Sequence, residues 1–423
     1  MAIVGSFAIP SAVRATPPDV FGYGARTQGA AMTGTAYVDD YEAVWANPAG
    51  LAAAERSGIS LGLQAASFEL QLDGQDFDLE AYRGTTIGFH LRLPFGGVLE
   101  DVLTIGAGFY TPLNTVLRTD IIYPETPQWA VLARTQSVNL AIGLGIDLDR
   151  WVPGLRLGLG FSALATITGR LQVQLDQANS FTSLTETQLL VSYNPIVGAQ
   201  YDFGDFSLGV VYREEVRSEI DLNIVVENLP VALPTITITA LPQYDPHTVA
   251  AEFAWRFTPH WMGAVHLTYR RWSAFPGVVG QTSSSSFYPV HPAFRDTVSP
   301  RLAFEYRARK RRTEIAARFG YAYEMTPAPP AALRPARDMN DAPRVPEVLT
   351  PSRYIDGDRH VFTVGNGVTF HSKLGPVMRF DLFLQLHRMP ERTHDIPRTD
   401  EGTSNMVTEG WLVAGGWTGA IEW

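Results

Sequence analysis

The chain has 423 residues, of which 18% are charged, 45% apolar and 11% aromatic, with a formal net charge of −10. The acidic balance argues against a nucleic-acid partner, 37 glycines and 29 prolines argue against long helices, and the apolar content argues against disorder. Cysteine is absent, which excludes disulfides, thiolate metal sites and cysteine nucleophiles. No run approaches the roughly 18 apolar residues of a membrane-spanning helix. At about 100–200 residues per domain the length allows two or three domains, but β-barrels run long as one unit. A large soluble all-β protein and a transmembrane β-barrel, whose membrane signal lies in alternation, are the readings left.

The N-terminus reads MAIVGSFAIPSAVRA. Ala2 to Ile9 form a short apolar run and Val13-Arg14-Ala15 resembles a signal-peptidase site, but a basic n-region is missing. A partial signal peptide over 1–15 and an ordinary terminus both fit. Residues 21–56 show no alternation. Small residues dominate there, Asp39 and Asp40 lie at the centre, and Asn47-Pro48-Ala49-Gly50-Leu51 carries a turn signal near the end.

From residue 57 the period is two. Val138, Leu140, Ile142, Leu144, Ile146 and Leu148 alternate with Asn139, Ala141, Gly143, Gly145 and Asp147, giving one oily face and one small or polar face. Met378–Leu386, Ile315–Glu324 and Trp261–Arg270 repeat the pattern. About fourteen such segments fall near 57–72, 82–95, 101–112, 136–149, 154–176, 186–203, 206–227, 235–257, 260–273, 297–309, 312–325, 358–371, 376–389 and 408–423, with ends placed to within about 2–4 residues. Tight turns (Gly96-Gly97, 149–154, 203–206, 258–260, 308–311, 372–375) alternate with longer connections, longest at 113–135, 274–296 and 326–357. A transmembrane barrel has that alternation, with short periplasmic turns and long outer loops. The Pro-rich stretch 326–357 reads as an irregular outer loop, because proline donates no ladder hydrogen bond. The fold expected is all-β: a 14-stranded antiparallel transmembrane barrel over 57–423, with 16–56 forming an N-terminal plug inside the lumen. Such a lumen is too wide for its own wall side chains to fill.

The stretch Gly24-Ala-Arg-Thr-Gln-Gly-Ala-Ala-Met-Thr-Gly-Thr-Ala, then Asp39-Asp40, then Val44-Trp-Ala-Asn-Pro-Ala-Gly-Leu51, resembles the N-terminal hatch signature of the FadL/TodX (OMPP1) family. Gly106-Ala-Gly-Phe-Tyr-Thr-Pro112 is similar to that family's third strand, and Leu267–Phe275, Gly320–Pro329 and Asp356-Gly-Asp-Arg359 follow in order. The resemblance implies a monomeric transporter in the outer membrane of a Gram-negative bacterium. It would take up long-chain fatty acids or aromatic and aliphatic hydrocarbons passively, amid outer-membrane lipid and lipopolysaccharide. It implies a hatch motif at Asp39, Asp40, Asn47, Pro48, Ala49 and Gly50, and a lateral opening at Gly106, Gly108 and Pro112. Outer-loop capture falls to Phe181, Leu184, Leu229 and Leu233.

On the polar face, Arg301, Arg318 and Arg379 are candidates to pair a ligand carboxylate. The alternative for each is an internal partner, the hatch acids included. Nine scattered histidines and the absence of G-x-S-x-G, H-E-x-x-H and EF-hand patterns point away from an enzyme, a metal or a cofactor. A general diffusion porin and a non-transporting scaffold barrel are the alternatives.

Overall fold

The computed structural model describes residues 17–423, apart from 78, 80, 114–116, 119–135, 176–180, 228–235, 278, 282–291, 331–332, 336–348, 352–353, 374 and 398–402. The stretch 1–15, Leu229 and Leu233 lie outside the described residues, as do the side chains of Phe181 and Leu184.

Fourteen strands close a barrel. They are β1 (Gly58–Leu72), β2 (Tyr82–Arg92), β3 (Leu103–Pro112), β4 (Asn139–Asp147), β5 (Leu155–Leu175), β6 (Phe181–Phe203), β7 (Phe206–Arg213, then Val216–Glu227), β8 (Ile236–Asp245, then Thr248–Arg256), β9 (Trp261–Arg270), β10 (Thr297–Lys310), β11 (Thr313–Glu324), β12 (Arg359–His371), β13 (Val377–Pro397) and β14 (Thr403–Glu422). Each pairs antiparallel with its chain neighbours. β14 closes on β1 from Gly58↔Glu422 to Leu72↔Thr408, so no edge is left for lipid to meet unpaired backbone.

Alternation decides which face meets lipid. On β10, Val298, Leu302 and Phe304 are exposed, while Ser299, Arg301, Ala303 and Glu305 are buried on the lumenal side. The other strands follow suit, which explains why so apolar an exterior leaves mean hydropathy near zero. At Glu214-Glu215 and Pro246-His247 the ladders of β7 and β8 break, where the sequence pattern reads as continuous. Outside the membrane, 222–227 of β7 pairs in parallel with 169–174 of β5, joining two outer hairpins. The expected irregular loop 326–357 holds one short ladder, Leu333–Pro335 against Leu349–Pro351.

Residues 17–54 lie within the barrel as short helices: α1 (Pro17–Phe21), α2 (Ala25–Gln28), α3 (Ala43–Ala46) and a 3-10 helix over Pro48–Ala53. None is long enough to be stable alone. Their order comes from the wall around them, which supplies partners to the exposed backbone.

Candidate functional site: the filled lumen and its wall

One half of the wall holds the N-terminal segment by charge. Glu252 of β8 is the clearest case. Its carboxylate accepts the backbone N–H groups of Gly34 at 2.8 Å, Thr35 at 3.2 Å and Ala36 at 3.1 Å. His266 Nδ1 lies 2.8 Å from the same carboxylate, and its Nε2 lies 2.7 Å from Thr268 Oγ1. A buried carboxylate with this many donors satisfies the leading N–H groups of a turn whose own bonds run from Tyr37 and Val38 to the Gly34 carbonyl.

Within the segment Arg26 of α2 donates to Asp39 at 2.5 Å, and further round the wall Arg379 of β13 pairs with Asp40. Arg379 also reaches Asp381 at 3.2 Å. Arg318 bridges Asp381 and Glu305, each at 2.6 Å. A second group joins Arg301 and Arg270 to Glu324 at 2.8 and 3.0 Å, and Arg301 also donates to the Met32 carbonyl at 3.1 Å. Neutral anchors complete this half. Gln385 donates to the carbonyls of Phe21 and Gln28, both at 2.9 Å, and Thr363 Oγ1 accepts from Ala31 N at 2.9 Å.

The other half holds the segment by close approach. Asn47 caps the 3-10 helix, its Oδ1 accepting from Ala49 N at 3.1 Å while its Nδ2 donates to the carbonyls of Thr35 at 2.8 Å and Ala199 at 3.0 Å. It fits because β6 carries Gly198 beneath it: a Cβ there would overlap the Asn47 side-chain oxygen. Gly158 of β5 likewise faces the backbone of Ala49, which a Cβ would overlap. A packed interior leaves no slack to absorb such an addition.

Gly106 and Gly108 belong to the same surface. A Cβ on Gly106 would sit 2.6 Å from Leu51 Cδ2, and one on Gly108 would run into the Tyr23 ring. The ladder is closed on both sides of these glycines, with Gly106 opposite His90 of β2 and Gly143 of β4. The wall changes farther out. β3 keeps its β2 partner to Pro112, opposite Gly84, but its last β4 pair is Tyr110↔Asn139. Pro112 therefore lies where pairing on one side is interrupted, before it resumes at Leu117↔Ser137.

An apolar column leads to that place. Phe21 of α1 stacks on Tyr82 at 5.6 Å between ring centroids, and Tyr82 stacks on Tyr110 at 5.8 Å. Phe68, Leu70, Leu412 and Met389 pack around them. A second aromatic cluster, Tyr244, Trp272, Phe275, Phe294 and Tyr354, is buried beneath the outer connections. The sequence reading missed it, although the Leu267–Phe275 motif supplies two of its members.

The hatch-motif residues come together: Asp40, Asn47, Pro48, Ala49 and Gly50 are buried against the wall, and Asp39 faces a polar cavity. Arg301, Arg318 and Arg379 are all paired with carboxylates of the protein, so the geometry is that of the internal-partner alternative. Phe181 and Leu184 lie on the β5–β6 hairpin, opposite Leu175 and Gln172. Among the described residues no group of three or more His, Asp or Glu side chains is arranged to hold a metal. Among the described residues several cavities flank the segment. A polar one of about 320 Å³, lined by Arg26, Asp39, Arg56, His90 and Arg379, lies toward the short turns. A second of about 200 Å³ lies between Tyr37, Asp39, Arg256, His260 and Glu305. A third, between Tyr23, Trp45 and Arg270, is about 30 Å³, the space of a water.

Residues 10–375 match the model of the family described as outer membrane protein transport protein (OMPP1/FadL/TodX). No curated protein sequence matches the chain. Among solved structures, a Pseudomonas aeruginosa FadL homologue superposes with a TM-score of 0.59 at 15% identity, covering 95% of this chain and 97% of that one. The P. putida toluene transporter TodX gives 0.55 at 13% identity, covering 96% and 99%. The Ralstonia pickettii toluene transporter TbuX gives 0.51 at 13%, covering 95% and 98%. The likeness to these structures is one of fold, and the family match extends over most of the chain. The chain belongs to the OMPP1/FadL/TodX family of outer-membrane transport proteins, a 14-stranded barrel of the Gram-negative outer membrane.

Proposed function

We propose that the protein takes up uncharged hydrophobic compounds passively, with residues 17–54 acting as a fixed hatch and ligand leaving sideways at the outer end of β3. The observation that carries this reading is the apolar column Phe21–Tyr82–Tyr110, which ends where the β3–β4 ladder is interrupted between Tyr110↔Asn139 and Leu117↔Ser137. An apolar molecule gains about 25 cal/mol for each Å² of apolar surface it buries, and a water-filled pore offers none of that. Exit into the membrane spares it a second crossing of water. The glycines at 106 and 108 give the hatch its place beneath the exit, and Pro112 ends the strand at it.

An uncharged ligand is favoured because Arg301, Arg318 and Arg379 are already occupied by Glu324, Asp381 and Asp40. A fatty-acid carboxylate that met any of these three would have to displace its partner. Two solved relatives are titled toluene transporters, which agrees with a hydrocarbon. Capture falls to the outer aromatic cluster around Trp272 and Phe294.

The absence of cysteine makes the test direct. Thr111→Cys with Val138→Cys extends the register one step past Tyr110↔Asn139. Oxidation is expected to abolish uptake of a labelled aromatic hydrocarbon, and reduction to restore it. Uptake unchanged by the cross-link would rule out this exit, and a stable large conductance with the hatch intact would point instead to a diffusion porin.

A further inference from the structure

The chain holds only two lysines, Lys310 and Lys373, against many arginines. They lie 63 positions apart, yet the barrel brings them to neighbouring turns, because β11 pairs with β12. The β10–β11 turn reads Arg309-Lys310-Arg311-Arg312, and Lys373 is in the β12–β13 turn. The two turns are tied by His371 N donating to the Arg312 carbonyl at 2.8 Å. Arg56, just before β1, donates to the Gly375 carbonyl at 3.0 Å and holds the Lys373 turn from the lumenal side. Arg309, Lys310, Arg311 and Arg312 are exposed, and no ion pair involves them or Lys373 among the described residues.

The backbone adds a second observation. Arg311 has φ of 58°, a conformation that favours glycine or asparagine. In other turns of this rim Gly97, Gly154, Gly204 and Gly375 take the positive φ, and so does Asp101, a type that tolerates it better than arginine. Here arginine does, so charge is kept at a position where the chain would fold more easily without it.

The location selects the partner. Lys310 continues the lipid-facing row of β10, after Phe304, Tyr306 and Ala308. Tyr306 packs on Trp261 at 5.0 Å between centroids, an aromatic pair of the kind that marks a membrane edge. Four residues on, at about 3.3 Å each along a tilted strand, Lys310 reaches headgroup depth. Its stem can lie along lipid while its ammonium meets phosphate. The opposite side of the rim is different: Phe95, Val98, Leu99, Trp151 and Val152 are exposed there.

We propose that Lys310, Arg311 and Arg312 of one turn and Lys373 of the next form a binding surface for anionic phospholipid in the inner leaflet of the outer membrane. The surface recognises phosphodiester headgroups that carry net negative charge, such as phosphatidylglycerol. Clustered basic residues at a membrane surface each add to such attraction, so three of them give a preference of about tenfold or more. The full chain, reconstituted in mixed phosphatidylethanolamine and phosphatidylglycerol bilayers, is released into native mass spectrometry. The wild type is expected to retain phosphatidylglycerol over phosphatidylethanolamine by that factor. The triple variant Lys310→Ser, Arg311→Asn, Lys373→Ser is expected to lose the preference while keeping the heat-modifiable gel shift of a folded barrel. Arg150→Ser, on the opposite rim, is expected to keep it. Glycerol phosphate added as a competitor is expected to leave bound lipid in place; its displacement by the free ion would overturn a lipid site. Equal retention of both lipids by the wild type, or an unchanged preference in the triple variant, would overturn the proposal. So would loss of binding to purified peptidoglycan alone, which would assign the patch to that polymer.

Discussion

The two halves of the barrel wall hold the same short segment by different physics. From β8 round to β13 the grip is mainly electrostatic: Glu252 collects three backbone N–H groups and Arg379 takes Asp40, although Gly320 and Gly365 also let Ala31 and Gly29 come close. From β3 to β6 the grip is steric: Gly158 and Gly198 let the chain from Asn47 to Ala49 lie against strand backbone. Charge acts over several ångströms and tolerates small shifts, because a displaced partner still attracts. Close approach tolerates none. The steric half therefore sets where the hatch lies, and the ionic half sets how firmly it stays.

The largest effect is expected from breaking the steric half. Gly158→Leu would force the Ala49 backbone away from β5, at a cost beyond the ~1–3 kcal/mol of ordinary overpacking, because backbone and not a side-chain end is in the way. Barrel assembly should survive, and leak of small polar solutes through reconstituted channels should rise toward that of a chain lacking residues 17–48. Gly96→Ala, where nothing lies within 4 Å, should change nothing. If Gly158→Leu leaves leak at the wild-type level, the steric half does not set the hatch.

A smaller effect follows from the ionic half. Asp40→Asn leaves Arg379 buried but still beside Asp381 at 3.2 Å and Glu422 at 3.6 Å. The loss should fall below the ~3–5 kcal/mol of a buried charge left with no partner. It should appear as faster proteolysis or exchange of the hatch with little added leak. Pairing Asp40→Asn with Arg379→Gln should do less harm than the sum of the singles, because the second change removes the charge the first one strands. Strict additivity would show that the pair is not an anchor.

The two halves also differ in how legible they were. Alternation along 138–148 or 378–386 reports which face of a strand is oily, and that sufficed for strand number, turn order and the direction of Arg301, Arg318 and Arg379. It says nothing about which of several lumenal carboxylates an arginine meets, since Asp40 and Arg379 are 339 positions apart. Glu252 is a stronger example. Its neighbours in sequence read only as a polar position on β8, while its partners at Gly34 to Ala36 lie on another part of the chain. The glycines were visible as a pattern, but a glycine that borders an opening and one that receives a hatch look identical until the opposing chain is placed. Breaks at Glu214-Glu215 and Pro246-His247 escaped because two skipped ladder pairs leave the period of two in phase.

The subtlest way to sharpen the comparison uses pH. Glu42 belongs to the hatch itself and accepts from the backbone N–H groups of Arg26 at 3.1 Å and Thr27 at 2.9 Å. Burial, aided by the charge of Asp40, raises its carboxyl from 4.5 to about 7. The seated hatch thus keeps a proton on Glu42 over a pH range in which a released hatch has lost it. Stability of the seated form is then greatest below about 4.5 and falls as pH rises to about 7, beyond which Glu42 contributes no further slope. Dye leak from proteoliposomes should be lower at the acidic end of that window than at its neutral end. Glu42→Gln cannot titrate and should flatten the profile across the window, whereas Gly158→Leu, already unseated, should leak at every pH. A wild-type profile with the opposite slope would mean that the ionic half, through groups other than Glu42, governs the hatch in this range.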